Sequence, residues 1–243
     1  MSQELMITMA VVMIAAMVQS MTGFGFGLIV VGLLSLACPI KSAAVLNVLP
    51  ALMINGLLIW RLRHHLRWEG LRPIAIAAVC MTPLGVLLIV HLNARVMNGL
   101  LAAVLLATLL QPLLSKGKHH PWHACWLGVP LGLFSGLLAG AFGTGGPPLV
   151  AYVQSHDYDR YRHVVSLQVL LGVAGLMRVA SMLWQGSLTR EQWAVNGMTC
   201  LIVLPGLWIG LKLLKHLPQK WLRTLVLVML GVMMMHAAWR AVG

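Results

Sequence analysis

Two long apolar stretches, Leu5–Pro39 and Trp122–Val153, are each interrupted by a cluster of glycines, and nothing else in the chain constrains its fold as much. The first interruption reads Thr22-Gly23-Phe24-Gly25-Phe26-Gly27. The second reads Ala141-Phe142-Gly143-Thr144-Gly145-Gly146-Pro147-Pro148. A helix rises about 1.5 Å per residue, so either stretch would overrun the roughly 30 Å hydrocarbon core of a bilayer. Glycine clusters and a Pro-Pro pair are also poor helix interior. Each stretch is therefore expected to enter the membrane, unwind and come back. Unwound backbone at membrane depth persists only where protein or a water-filled cavity satisfies its polar groups. Two such interruptions, one per half of the chain, are the pattern expected of a secondary transporter's binding site.

Composition narrows the class. The 243 residues are 60% hydrophobic and only 9% charged, with mean hydropathy +0.89. Soluble domains carry about 25% charged residues, so a single integral membrane domain over 1–243 is expected. The start, Met1-Ser2-Gln3-Glu4, lacks the basic region of a cleaved signal peptide, so Leu5–Ser20 reads as a retained membrane segment. Cys38, Cys80, Cys125 and Cys200 are scattered singly, without zinc or disulfide spacing. The net charge of +12 sits in short loops between apolar segments, where it reads as topology and as a field favouring anions rather than as a nucleic-acid surface.

Six simpler spans accompany the two long stretches: Ser42–Trp60, Leu71–His91, Val96–Leu114, Val164–Trp184, Trp193–Leu214 and Trp221–Trp239. If each long stretch crossed once, the loop Lys and Arg residues would divide evenly between the two sides. If each is a hairpin, Arg61, Arg63, Arg67, Arg72, Lys116, Lys118, Arg160, Arg162, Lys212, Lys215, Lys220 and Arg223 share one face. The other face keeps Lys41, Arg95, Arg190 and Arg240. That bias selects the hairpin scheme, with arms of about 14–17 residues, both termini outside and the basic loops in the cytoplasm.

The scheme also implies a repeat. A hairpin plus three spans is an odd number of effective crossings, so the halves, about 5–114 and 122–240, must be oppositely oriented. Phe24-Gly25-Phe26-Gly27 matches Phe142-Gly143-Thr144-Gly145 as FGxG, and His91-Leu92-Asn93-Ala94-Arg95 matches His216-Leu217-Pro218-Gln219-Lys220. Between them Asn47 pairs with Gln168, Trp68 with Trp193 and Pro83 with Pro205. The expected fold is an all-α polytopic transmembrane helical bundle of two inverted repeats.

Candidate site residues cluster at the interruptions. Where a helix restarts, free N–H groups carry partial positive charge, and glycines let an anion approach them. Gly25 and Gly27, with Gly143, Gly145 and Gly146, would form two such cradles; Thr22 and Thr144 would add hydroxyls. Pro147 and Pro148 suit the first turn of a restarting helix. The competing reading is that glycines only allow close helix packing. Arg178 lies in mid-span, where a charge is costly and normally faces a cavity or partner. It reads either as an anion counter-charge, by bidentate hydrogen bonds, or as a residue paired with a carbonyl. Asn47, Asn55 and Gln168 read as interhelical hydrogen-bonding groups, with substrate contact also open for Asn47 and Gln168. Gln19 and Ser20 precede the first break. His64, His65, His119, His120 and His123 fall in basic loops without a carboxylate or Cys partner, so no metal is assigned to them. Gly143-Thr144-Gly145-Gly146 lacks the Lys-Ser/Thr of a nucleotide loop, and no cofactor motif or catalytic constellation is found.

FGxG in the first half, with Gly140-Ala141-Phe142-Gly143-Thr144-Gly145-Gly146-Pro147-Pro148 in the second, resembles the sulfite exporter TauE/SafE family of bacterial membrane permeases. The resemblance covers almost the whole chain; the second break is the more specific motif. It implies transport of small sulfur-containing or organic anions such as sulfite, sulfonates or sulfoacetate. The expected function is thus a secondary transporter working by alternating access, with a small anion and the lipid bilayer as partners. A membrane-embedded enzyme or assembly factor, and a metal-ion permease, are the alternatives. A homodimer is compatible with the sequence, which does not decide it.

Overall fold

The computed structural model describes residues 2–114, 124–156, 158–186, 188–213 and 219–242. Among these there is no strand. The chain runs α1 (Ser2–Thr22), α2 (Phe26–Ala37), α3 (Ile40–Val45), α4 (Val48–Leu62), a short 3₁₀ turn (Arg63–His65), α5 (Leu71–His91) and α6 (Ala94–Leu114). The second half continues with α7 (Ala124–Phe142), α8 (Gly146–Gln154), α9 (Arg160–Trp184), α10 (Arg190–Leu213) and α11 (Gln219–Val242). His119, His120, His123, Lys116 and Lys118 fall outside the described residues.

Both expected breaks are present, and their chemistry is local. Gly23, Gly25 and Gly143 adopt φ of +83°, +102° and +70°. A side chain in that left-handed region costs about 1–2 kcal/mol. Pro147 and Pro148 occupy the first turn of α8. The arms differ in length from the expected 14–17 residues: 21 and 12 in the first hairpin, 19 and 9 in the second. The backbone leaves the helix only at the glycines, which lie late in each stretch, so a long arm is followed by a short return. A third break was not expected. The span read as Ser42–Trp60 is divided at Leu46-Asn47 into α3 and α4.

Glycine contacts give the helix directions. A Cβ on Gly132, Gly136 or Gly140 of α7 would strike α5 backbone at Ile74, Ala78 and Thr82 in turn. Likewise Gly206 and Gly210 of α10 sit on Met13 and Met17 of α1. Both pairs are therefore parallel and packed backbone to backbone, the use of small residues common in membranes. Packing partners exchange between the halves: α5 lies on α7 and α10 on α1, α5 meets α9 and α10 meets α4. Helices α4 and α9, and α6 and α11, pack on each other.

Among the described residues, Arg61, Arg63, Arg67, Arg72 and Arg162 lie at one end of the bundle. There the His65 ring meets Tyr161, and the Tyr152 hydroxyl donates to the Gly70 carbonyl (2.6 Å). This places the 3₁₀ turn, the start of α5, the end of α8 and the start of α9 together. At the opposite end Lys41 Nζ donates to the Val90 carbonyl, joining the start of α3 to the end of α5.

Among the described residues, five segments are long and apolar enough to cross a membrane: Leu5–Thr22, Ile40–His65, Leu71–His91, Tyr161–Trp184 and Arg190–Leu213. Exposed Ile76, Leu176, Leu201, Trp208 and Trp184 give the bundle an apolar outside, which suits lipid. The chain is an all-α, multi-pass membrane protein.

Candidate functional site

The two glycine breaks meet inside the bundle. A Cβ on Gly27 would run into the Gly143 carbonyl, and Phe24 lies against Gly146. Only glycine permits this approach of backbone to backbone. Beside the contact lies a cavity of about 40 Å³. On that measure one water needs roughly 10–15 Å³, so the space suits about three waters or one compact anion. Gly25, Gly27, Gly143, Thr144, Gly146 and Arg178 line it, with Gln19, Asn55 and the apolar side chains of Leu28, Val48 and Leu171.

Arg178 is buried, at 2% exposure, and binds protein on three sides. Its Nε donates to the Gly140 carbonyl (3.0 Å), Nη1 to Asn47 Oδ1 (2.7 Å) and Nη2 to the Ala44 carbonyl (2.7 Å). A guanidinium has five N–H donors, so one remains on each terminal nitrogen. Gly140 and Ala44 lie near the ends of α7 and α3, where carbonyls have lost their helical partners. Arg178 thus joins the second glycine break to the third break. Of its two sequence readings, the carbonyl-paired one describes these bonds. The charge itself meets no carboxylate in the described cavity lining.

Asn47 completes this arrangement. It is fully buried, accepts from Arg178, and its Nδ2 donates to the Phe142 carbonyl (2.9 Å). Gln168 plays the corresponding part across the bundle, donating from Nε2 to the Gly23 carbonyl at the first break. Each half therefore supplies an amide side chain to the broken helix of the other half. Gln19 links the pair of sites: its Nε2 reaches Asn55 Oδ1 (2.7 Å) and Gln168 Oε1 (3.1 Å), and its Oε1 accepts from the Phe26 N–H that opens α2. Asn47, Gln168 and Gly145 stand behind the cavity wall rather than on it.

Two hydroxyls expected at the site behave differently. Thr22 Oγ1 is within donor reach of the Val18 (2.9 Å) and Phe24 (2.7 Å) carbonyls and serves the turn. Thr144 is 2% exposed, lines the cavity, and its Oγ1 has no hydrogen-bond partner. A buried hydroxyl without a partner costs about 1–3 kcal/mol, so Thr144 is a donor awaiting an acceptor.

Two residues of the network escaped the sequence reading. Asn196 of α10 spans the third break, accepting from Leu49 N–H (3.1 Å) and reaching the Val45 carbonyl with Nδ2 (3.2 Å). Its signal, an Asn inside an apolar span, was the one that marked Asn47. Ser135 of α7 donates to the Gly145 carbonyl (2.7 Å) and was hidden in a glycine-rich run. Among the described residues no three His, Cys, Asp or Glu side chains gather as a ligand set.

Two apolar clusters pack around the cavity. Toward the basic end lie Leu149, Tyr152, Val153, Leu71, Ile74 and Leu167, with Phe24 packed against them. The other layer is larger and includes Phe26, Leu28, Val31, Leu34, Ile54 and Phe142.

Broken helices meeting beside a small cavity that holds a buried guanidinium, inside a multi-pass bundle, fit the architecture of a membrane transporter. The chain belongs to the sulfite exporter TauE/SafE family, which it matches over residues 8–236. It is 29% identical over 176 residues to a probable sulfite/organosulfonate exporter TauE of Cupriavidus necator, a match covering 70% of this chain and 68% of that protein. No solved structure matches the chain.

Proposed function

We propose that this protein exports sulfite or a similarly compact sulfur oxyanion by alternating access between two inverted repeats. The observation that carries the reading is the buried guanidinium of Arg178 at a cavity whose described lining holds no acid. Its field favours an anion there. Thr144 Oγ1 and the two remaining guanidinium N–H groups would donate to the anion's oxygens, a charge-assisted arrangement. Gly25, Gly27, Gly143 and Gly146 would let it approach the backbone. Asn47, Gln168, Gly145 and Thr22 hold the broken ends in place.

The exchange of packing partners between the halves, and the reciprocal use of Asn47 and Gln168, support the repeat. With the basic end in the cytoplasm by the positive-inside rule, both termini lie on the periplasmic side of an inner membrane. An inside-negative potential would then drive an anion outward by about 2.3 kcal/mol per charge per 100 mV. The cavity's volume favours sulfite over longer organosulfonates, whose chains would need the apolar layers to part.

The test is efflux from proteoliposomes loaded with sulfite, sulfate, thiosulfate, sulfoacetate, taurine or an unrelated carboxylate. Protein-dependent sulfite efflux that responds to an imposed potential is expected. Folded protein that moves none of the sulfur anions would overturn the reading.

A further inference from the structure

A second, larger opening lies at the basic end of the bundle. It is an open basin of about 660 Å³ lined by Arg67, Trp68, Glu69, Arg72 and Tyr152. Neither Arg67 nor Arg72 is engaged in a hydrogen bond or ion pair among the described residues, and both are exposed. Glu69 is likewise unpaired and leaves the basin with a net positive charge. Polar tips crowd the Gly70 edge: a Cβ there would lie 3.6 Å from Tyr158 Oη, 3.7 Å from Tyr152 Oη and 3.8 Å from His156 Nε2. Behind Tyr158, the Arg162 guanidinium stacks over the phenol ring at 4.1 Å, and its buried Nε has no partner. Burial pushes the Tyr158 phenol up against the opposing pull of Arg162, so Tyr158 stays a neutral donor at physiological pH.

Helix α8 runs from the central cavity to the basin. Tyr152 belongs to α8, whose first residue, Gly146, lines that cavity. They stand six positions apart in the helix, about 9 Å along the axis. Only the thinner apolar layer, Leu149 and Val153 with Phe24, lies between.

We propose that the basin is a waiting site for a small oxyanion, held by Arg67 and Arg72 at the basic mouth of the path to the central cavity. The anion's identity rests on the transport reading above; its charge and size class rest on the basin. Two unengaged guanidinium groups would raise the local anion concentration and the rate of entry, and salt would screen the effect. A lipid phosphate offers the same chemistry at the membrane surface, so the experiment separates the two sources.

Sulfite transport from the basic side is measured in proteoliposomes of phosphatidylcholine for wild type and Arg67→Gln/Arg72→Gln. At about 20 mM ionic strength the double variant is expected to raise KM about fivefold with kcat unchanged, shrinking to under about twofold near 300 mM. An unchanged KM at low salt overturns the proposal. If wild type transports no sulfite, equilibrium binding of radiolabelled sulfite decides. Binding that is lost in the double variant keeps the waiting site and removes the transport reading; no binding by wild type overturns the waiting site. In nanodiscs containing phosphatidylglycerol, native mass spectrometry would show lipid lost from the double variant if a headgroup fills the basin. That result with unaltered sulfite KM also overturns it.

Discussion

Arg178 offers the sharpest test, because its charge and its geometry can be removed separately. Arg178→Gln deletes the single charge among the described residues lining the cavity. An anion centred about 5 Å from the guanidinium, at an effective dielectric of about 20, interacts with it by roughly 3 kcal/mol. Losing that should weaken sulfite by about a hundredfold. The substitution also strips donors from the Gly140 and Ala44 carbonyls and from Asn47, three bonds to a charged group at roughly 1.5 kcal/mol each, so stability falls by up to about 4.5 kcal/mol. Arg178→Lys keeps the charge but can satisfy about one of those three directions. Losing two charge-assisted bonds at roughly 1.5 kcal/mol each lowers stability by about 3 kcal/mol. The two variants should therefore be similarly destabilised in detergent, yet differ in transport: Gln raises the sulfite KM about a hundredfold, Lys less than about tenfold. The assay is anaerobic efflux of labelled sulfite from proteoliposomes, with thermal unfolding run beside it. If folded Arg178→Gln keeps a KM within twofold of wild type, the charge does not act on the anion.

Three further outcomes follow from the same geometry. Gly27→Ala places a methyl on the Gly143 carbonyl, a backbone group that cannot rotate away, so transport is lost and stability falls by at least about 1–3 kcal/mol; normal melting and transport would show that the breaks do not touch. Thr144→Val removes the unpartnered hydroxyl at nearly constant volume, so melting should hold or rise while the sulfite KM increases several-fold, and Thr144→Ser should restore it; equal KM in all three proteins would take Thr144 out of the site. Asn196→Ala frees Leu49 N–H and the Val45 carbonyl at the third break and should cost about 1–3 kcal/mol, with faster amide exchange at residues 45–49 measured by mass spectrometry; unchanged exchange would mean the break holds without it.

What the sequence determined by itself was set by local chemistry. Clustered glycines favour a helix end, because glycine takes the positive φ seen at Gly23, Gly25 and Gly143 without strain, and Pro147-Pro148 fits the first turn of the helix that follows. The hydropathy of the flanking runs then commits both breaks to membrane depth, and Arg178 is visible because a mid-span charge demands company. What that company is could not be read. Leu46-Asn47 has no glycine or proline, and the break there is held by Arg178 and Asn196, 131 to 151 residues away in the chain. Which glycines line a cavity and which bring helices together also depended on neighbours: Gly143 faces Arg178 and Asn47, whereas Gly136 lies on Ala78. Thr22 and Thr144 look alike in sequence, yet only one hydroxyl is left without a partner. Backbone conformation is imposed by adjacent residues, whereas hydrogen-bond satisfaction in a medium without water is settled by whichever distant side chain the packing brings within reach.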